Sequence, residues 1–291
     1  MFVITLISAP GLLDPSLVEN LRNAWGGGDA IWLAPDEAAE FSLSSLPQNR
    51  WQVWHDLQDL QIDLIVQPAE NRRKKMLLAD MDSTMIRQEC IDELADHAGV
   101  GARVKDITAR AMNGELDFEE ALHERVALLK GQPAAIIDQV LAERIGLMAG
   151  GKVLLATMRE NGAYAALVSG GFTAFSAAIA AELGFDEHRA NELLMTDGAL
   201  SGKVALPVLG RQAKVDALEQ ITKTLGLSED DVLAVGDGAN DLGMLGRAGT
   251  GAALHAKPSV AAECDIRVNF GDLTALLYLQ GYAQTEFITP N

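Results

Sequence analysis

Cysteine is nearly absent from this 291-residue chain: Cys90 and Cys264 are the only two, and they stand far apart. Neither a disulfide framework nor a CxxC metal pair can be built from them, which suits a reducing compartment. Basic residues are scarce as well, with 23 Lys and Arg against 41 Asp and Glu and a formal net charge of −18. That field repels phosphate polyanions and argues against nucleic acid or an acidic membrane surface as partners. A small anion stays admissible, because a local group of cations and backbone N–H donors outweighs a global field at short range. No apolar run approaches the roughly 20 residues needed to span a bilayer. The apolar start MFVITLISAPGLL lacks a basic leader and is followed by Asp14 and Glu19, so it reads as a first strand and not as a signal peptide. The expected location is the cytoplasm. There is no GxxxxGK[ST] loop for ATP-driven transfer. None of the five histidines (His55, His97, His123, His188 and His255) has metal spacing such as HExxH.

What the chain does have is apolar residues, 48% of the total, enough for a sizeable core. Residues 1–70 read as an α+β unit. FVITLIS is a strand; DPSLVENLRNAW is a helix capped by Asp14 with Leu17, Val18 and Leu21 on one face; AIWLA is a short strand; a polar segment follows. A helix near WQVWHDLQDL and the strand IDLIVQ come next, and the order strand–helix–strand–(strand)–helix–strand, with the bracketed strand in the polar segment, suggests a ferredoxin-like sandwich. All four tryptophans, Trp25, Trp32, Trp51 and Trp54, fall in this unit, where core or interface packing is the expected role. NRRKK, residues 71–75, reads as a solvated linker.

From Met76 the pattern changes. The continuous apolar runs MLLA, YAALV and DVLAV each end in a polar or glycine cluster, as parallel strands buried on both faces do. They predict a doubly wound α/β core over 71–84 and 150–291. Between the first two runs, residues 85–149 read as helices: ECIDELADHAG, ARVKDITARAMN, DFEEALHERVALLK and PAAIIDQVLAERI. An insertion directly after the first core strand would lie over the strand C-termini, where open α/β sheets bind ligands. Asp197-Gly198 within NELLMTDGALSGKVA marks a hairpin.

Four separated segments carry chemistry-bearing residues: Asp80-Met81-Asp82-Ser83-Thr84, Ser169-Gly170-Gly171, Lys214, and Gly236-Asp237-Gly238-Ala239-Asn240-Asp241. Each stands at a strand end or a helix start, so one sheet would gather them along one edge. Asp80, Asp237 and Asp241 offer hard oxygens suited to Mg²⁺. Lys214 offers a mobile cation, and Ser169 with the glycine N–H groups can bond phosphate oxygens. Asp80 could then attack phosphorus as a nucleophile, and Asp82, two residues on, could protonate the departing alkoxide. On the helix DFEEALHERVALLK, Phe118, Leu122, Val126 and Leu129 share a face, and Arg125 falls in the same arc. A guanidinium there needs an anion, whether a core carboxylate, a position at the rim or a ligand. Glu89 lies opposite the Ile91, Leu94 and Ala98 face and reads as an acid at a helix N-terminus.

With these motifs in order from about Met76 to Asp272, the chain resembles the haloacid dehalogenase (HAD) superfamily of phosphatases. DMDST, with serine in place of glycine in the more general DxDGT signature, is similar to the group that acts on phosphoserine. The resemblance implies a HAD-like, Rossmann-like core with a helical cap. It also implies Mg²⁺-dependent hydrolysis of O-phospho-L-serine to serine and phosphate through an aspartyl-phosphate, the last step of serine biosynthesis. Asp80 would be nucleophile and metal ligand, and Asp82 acid/base and metal ligand through its carbonyl, with Asp237 completing the metal set. Ser169, Gly170 and Lys214 would hold the phosphoryl group near Asn240, and Asp241 would steady the metal shell or Lys214. Arg125 would bind the substrate carboxylate, with Phe118 walling the pocket, and Glu89 would bind the ammonium. Two alternatives stay open: a phosphotransferase acting on an amino-acid alcohol such as homoserine, and a non-catalytic serine sensor. The N-terminal unit resembles an ACT-type module; serine binding, pairing of subunits and a spacer role all stay open for it, and pairing into a homodimer is the expected one.

Overall fold

The first apolar run forms strand β1 (Phe2–Ile7) in the computed structural model, which describes residues 1–112 and 115–290. Helix α1 (Pro15–Trp25) starts as its sequence dictates. The Asp14 carboxylate accepts the Ser16 N–H, Pro15 occupies the first turn, and Gly26 closes the helix at a φ of +67°. Strands β2 (Ile31–Ala34) and β3 (Ala38–Leu43), helix α2 (Arg50–Gln58) and strand β4 (Asp63–Pro68) follow. The sheet order is β2-β3-β1-β4, with β1 antiparallel to both neighbours, which is the ferredoxin-like arrangement. The expected polar segment after β2 contains β3. Its AAEFSL sequence has modest strand propensity, and pairing on both sides holds it extended. One face of the sheet, with Ile4, Leu6, Phe41 and Leu64, packs on Val18 of α1 and Leu57 of α2, and Trp25 and Trp54 lie against this core.

The other face carries Thr5, Glu40, Asp63 and Gln67 and meets the C-terminal segment. Gln67 donates to the Leu279 carbonyl at 2.6 Å, and Tyr278 donates its hydroxyl to Glu37 at 2.8 Å. The Asp63 carboxylate accepts N–H bonds from Asn269 (2.7 Å), Phe270 (3.1 Å) and Gly271 (2.8 Å). Burial pushes the Asp63 carboxyl upward, against the pull of those donors and of His255. Asp63→Ala strands these N–H groups and is expected to cost about 2–4 kcal/mol. The urea midpoint of the full chain measures it, and an unchanged midpoint would show that the loop finds other acceptors.

The segment 71–75 is solvated only in part: Asn71, Arg73 and Lys75 are exposed, whereas Arg72 and Lys74 are drawn into the fold. Arg72 forms an ion pair with Glu40 at 2.5 Å and donates to the Leu279 carbonyl, Lys74 is buried with Nζ on the Asp230 carbonyl at 2.7 Å, and Arg73 stacks 4.0 Å over Tyr282. The charges are neutralised by partners far along the chain, which local composition does not reveal.

Strand β5 (Met76–Ala79) is entirely buried. Helices α3 (Cys90–His97), α4 (Gly101–Met112), α5 (Phe118–Ala127) and α6 (Ile136–Glu143) fill the predicted insertion. Then come α7 (Gly151–Glu160), β6 (Tyr164–Phe172), α8 (Thr173–Leu183) and β7 (Glu187–Asn191). Strands β8 (Leu193–Thr196) and β9 (Ala199–Val204) form the expected hairpin, with Asp197 and Gly198 at φ +50° and +78°. Last are α9 (Arg211–Leu225), β10 (Val232–Gly236), α10 (Leu242–Arg247), β11 (Thr250–Leu254), α11 (Pro258–Ala261), β12 (Ile266–Val268) and α12 (Ala275–Tyr278). The second sheet has the order β12-β11-β10-β5-β6-β7, a parallel sheet with the strand reversal of a doubly wound core.

The chain divides into two compact units, one of residues 1–78, 149–165 and 218–291, the other of residues 79–148 and 166–217. The ferredoxin-like sheet thus shares a unit with the C-terminal segment, a different cut from the one expected at residue 70. Among the described residues, no helix is long and apolar enough to cross a membrane.

Candidate active site

The chain turns sharply after β5. The N–H groups of Thr84, Met85 and Ile86 all reach back to the Met81 carbonyl, and Ser83 takes a φ of +56°. That turn sets the two carboxylates of the DMDST segment in different surroundings. Asp80 is buried and accepts a 2.5 Å bond from Lys214 Nζ, itself buried at the start of α9. Asp82, partly buried, accepts the Cys90 N–H at 3.4 Å. Removal from solvent and then the charge of Glu89 push the Asp82 carboxyl up to about 7, against its bonds to Cys90 and the charge of Lys214. One carboxylate is matched to a cation, and its neighbour is poised to carry a proton near neutral pH.

Ser169, Gly170 and Gly171 lie where β6 breaks register with β7, between Val168 and Phe172. Such a bulge re-aims side chains next to a site. Ser169 is buried, and its Oγ accepts the Gly171 N–H at 2.8 Å. A Cβ at Gly171 would stand 2.8 Å from Asp82 Oδ2, so only glycine allows that carboxylate so close to the backbone. Asn191, buried at the end of β7, was not among the expected site residues. Its amide donates to the Gly170 carbonyl at 2.9 Å, and its Oδ1 accepts the Leu209 N–H at 2.7 Å. It ties the Ser169 bulge to the loop that leads into α9 and Lys214. Its strand reads EHRAN, so a polar residue at its end carries no local signal in the sequence.

In the helical insertion, Arg125 is partly buried and makes no ion pair among the described residues; its Nε donates to the Ala121 carbonyl at 3.1 Å. Burial lowers its pKa, while the charges of Asp92, Glu89 and Asp82 act the other way. The guanidinium therefore faces a field of carboxylates without close pairing. Asp92, also missed, has its Oδ1 buried with no hydrogen-bond partner; burial and Glu89 raise its pKa. Glu89 is the N-cap residue of α3 but makes no capping bond, and its carboxylate accepts the Ser83 hydroxyl at 2.7 Å. Phe118 departs from the burial expected of its helix face. Ala121, Leu122 and Val126 are buried, whereas Phe118, the first residue of α5, is 38% exposed with its ring beside Gly210. The Cys90 thiol is pushed far up by burial and by Asp82, so it is no nucleophile.

The turn after β10 is built around Asp241, which is fully buried and accepts the Gly238 N–H at 2.9 Å. A Cβ at Gly236 would meet the Asp241 carboxyl at 2.4 Å, and one at Gly238 would meet Asn240 Oδ1 at 2.3 Å. The buried Asp241 imposes glycine at 236, whereas at 238 the clash is with the movable end of Asn240. Asp237 and Asn240 are partly buried in the same turn. Asp237 and Asp241 of this turn, like Asp80, each offer hard carboxylate oxygens, the donor type that fits a small divalent cation.

The haloacid dehalogenase-like hydrolase family model matches residues 77–246. Phosphoserine phosphatase of Streptomyces coelicolor is 39% identical over 256 residues, 87% of this chain and 62% of that protein. The matches to the relatives from Archaeoglobus fulgidus and Haemophilus influenzae span 66% and 65% of those proteins. A HAD family hydrolase from Salmonella enterica serovar Typhi superposes with a TM-score of 0.87 at 28% identity, covering 96% of this chain and 97% of that one. The phospho-aspartyl intermediate analogue of phosphoserine phosphatase superposes with a TM-score of 0.66 at 41% identity, covering 71% and 98%.

Proposed function

This chain belongs to the haloacid dehalogenase-like hydrolase family, and on that premise we propose that it is a Mg²⁺-dependent phosphatase releasing serine and phosphate from O-phosphoserine. One observation carries the reading: Lys214 Nζ stands 2.5 Å from the buried Asp80, while Asp82 two residues on titrates near 7. The pair supplies an anionic oxygen held beside a cation, and next to it a separate proton carrier. The relatives named phosphoserine phosphatase support the choice of substrate.

In the proposed reaction an Asp80 oxygen forms a bond to phosphorus as the phosphorus–oxygen bond to serine breaks. Asp82 gives its proton to the departing serine oxygen. A water then attacks phosphorus and passes a proton to Asp82, which frees phosphate and restores Asp80. Lys214, the Ser169 hydroxyl and Gly170 hold the non-bridging oxygens, with Asn240 alongside. Asp80, Asp237 and the Asp82 carbonyl would hold Mg²⁺, which when bound adds positive charge against the phosphoryl oxygens. Asp241, already committed to the Gly238 N–H, steadies the turn that carries Asp237. Arg125 takes the substrate carboxylate and Glu89 its ammonium, so that together they select an amino-acid phosphomonoester.

Two buried free cysteines support a reducing, cytoplasmic setting. The exposed Ile31 and Trp32 on edge strand β2 support pairing of two chains through the ACT-like N-terminal module. A panel of small phosphomonoesters tests the activity by phosphate release, with Mg²⁺ or with chelator, and with homoserine added as acceptor. O-phosphoserine is expected to lead, chelation to stop turnover, and hydrolysis to exceed transfer. A preference for sugar phosphates would overturn the roles of Arg125 and Glu89, and indifference to chelator would overturn the metal.

A further inference from the structure

Ser83 holds its backbone at a φ of +56°, a conformation that glycine adopts freely and that strains a residue with a Cβ. Both ends of this serine grip the chain that enters α3. Its N–H reaches the Gln88 carbonyl at 3.2 Å, and its hydroxyl donates to the Glu89 carboxylate at 2.7 Å. A hydrogen bond to an ionised acceptor is the stronger kind, so the hydroxyl is what the strained position gains.

Glu89 has few other restraints. It is exposed, and although it is the N-cap residue of α3 its side chain makes no capping bond. Among the described residues, the Ser83 hydroxyl is the hydrogen-bond partner of its carboxylate. An opposite charge stands nearby: Arg125 lies in the field of Glu89, yet it donates through Nε to the Ala121 carbonyl at 3.1 Å. Two opposite charges in range of each other are thus each held by a neutral partner of their own. A long glutamate side chain left unheld has the rotamer freedom to turn toward the guanidinium. Direct pairing would gain Coulomb energy and cancel both charges.

We propose that Ser83 is a positioning residue for substrate selection: its hydroxyl holds the Glu89 carboxylate apart from Arg125, so that both charges stay available to the ammonium and the carboxylate of one substrate. The proposal rests on the roles given above to Glu89 and Arg125. Charges set in place beforehand lose less freedom on binding, so the effect falls on affinity for the doubly charged substrate and not on phosphoryl transfer itself.

Ser83→Ala removes the hydroxyl and keeps the Cβ, whereas Ser83→Gly removes both and relieves the backbone. Each is expected to raise the KM for O-phosphoserine by about tenfold, with kcat changed by no more than about twofold. Phosphate release from p-nitrophenyl phosphate, which carries neither ammonium nor carboxylate, stays unchanged. In a Glu89→Gln background, where no carboxylate is left to pair with Arg125, adding Ser83→Ala alters KM by no more than about twofold. The proposal is overturned if Ser83→Ala keeps the wild-type KM, if it slows both substrates alike, or if its effect multiplies with that of Glu89→Gln. A normal KM in Glu89→Gln alone would remove Glu89 from substrate binding, and the proposal would fall with that role. A raised KM there, beside unaltered Ser83 variants, would overturn the proposal by itself.

Discussion

Replacing Asp80 by Asn is expected to lower phosphate release from O-phosphoserine by at least about three orders of magnitude. The substitution keeps the side-chain shape and leaves an oxygen to accept from Lys214, so the fold should survive with an unchanged circular dichroism spectrum. What it removes is the negative charge that makes this oxygen a nucleophile. Turnover alone could fail for other reasons, so the sharper measurement is acid-quenched label from [³²P]phosphoserine. Wild type retains protein-bound label and Asp80→Asn retains none. Near-normal turnover in the variant would place the attacking group elsewhere.

Asp82→Asn is expected to have the second-largest effect, because it removes a proton carrier from both half-reactions. The loss should be about 10²- to 10⁴-fold with O-phosphoserine, whose alkoxide is a poor leaving group. With p-nitrophenyl phosphate the first step needs no acid, while water attack still lacks its base. Asp82→Asn should therefore release one equivalent of p-nitrophenolate per enzyme in a burst and then stall. A deficit that is equal for the two substrates and shows no burst would deny Asp82 the proton-transfer role. The pH profile follows from the same group. The acid form serves the leaving group, so the first step weakens as pH rises through the Asp82 pKa, about 7 before any cation is bound. Glu89 raises that value by like charge. Glu89→Gln therefore lowers it and moves the alkaline limb to lower pH.

The segments that could be read from sequence were those where local chemistry and final environment agree. MLLA, YAALV and DVLAV are apolar enough to need burial on both faces and became β5, β6 and β10. Asp14 and Asp197-Gly198 act through their own backbone neighbours, so a cap and a hairpin turn were visible without the rest of the fold. The residues that escaped depend on distant partners. AAEFSL, expected only as a bracketed strand without bounds, is held as β3 by pairing on both sides, and Arg72 and Lys74 left solvent because Glu40 and the carbonyls of Leu279 and Asp230 received them. The same reason hid Asn191 and Asp92, whose importance lies in what faces them. Phe118 shows the converse error: helical phase placed it correctly around the axis, yet as the first residue of α5 it lies where the packing ends.

The helical insertion enters and leaves the core at one stitched seam. Ile86 bridges Leu147, the Arg87 N–H reaches the Gly146 carbonyl at 3.0 Å, and the Met148 N–H reaches the Met85 carbonyl at 2.9 Å. With its two stems fastened together, everything from Gln88 to Ile145 hangs as a closed loop whose length costs little to vary, since closure entropy grows only logarithmically. The insertion is thus an exchangeable cassette. Evolution or an engineer can swap these helices while the stems keep their spacing, so on the proposed roles of Arg125 and Glu89 selectivity and bond cleavage can drift apart.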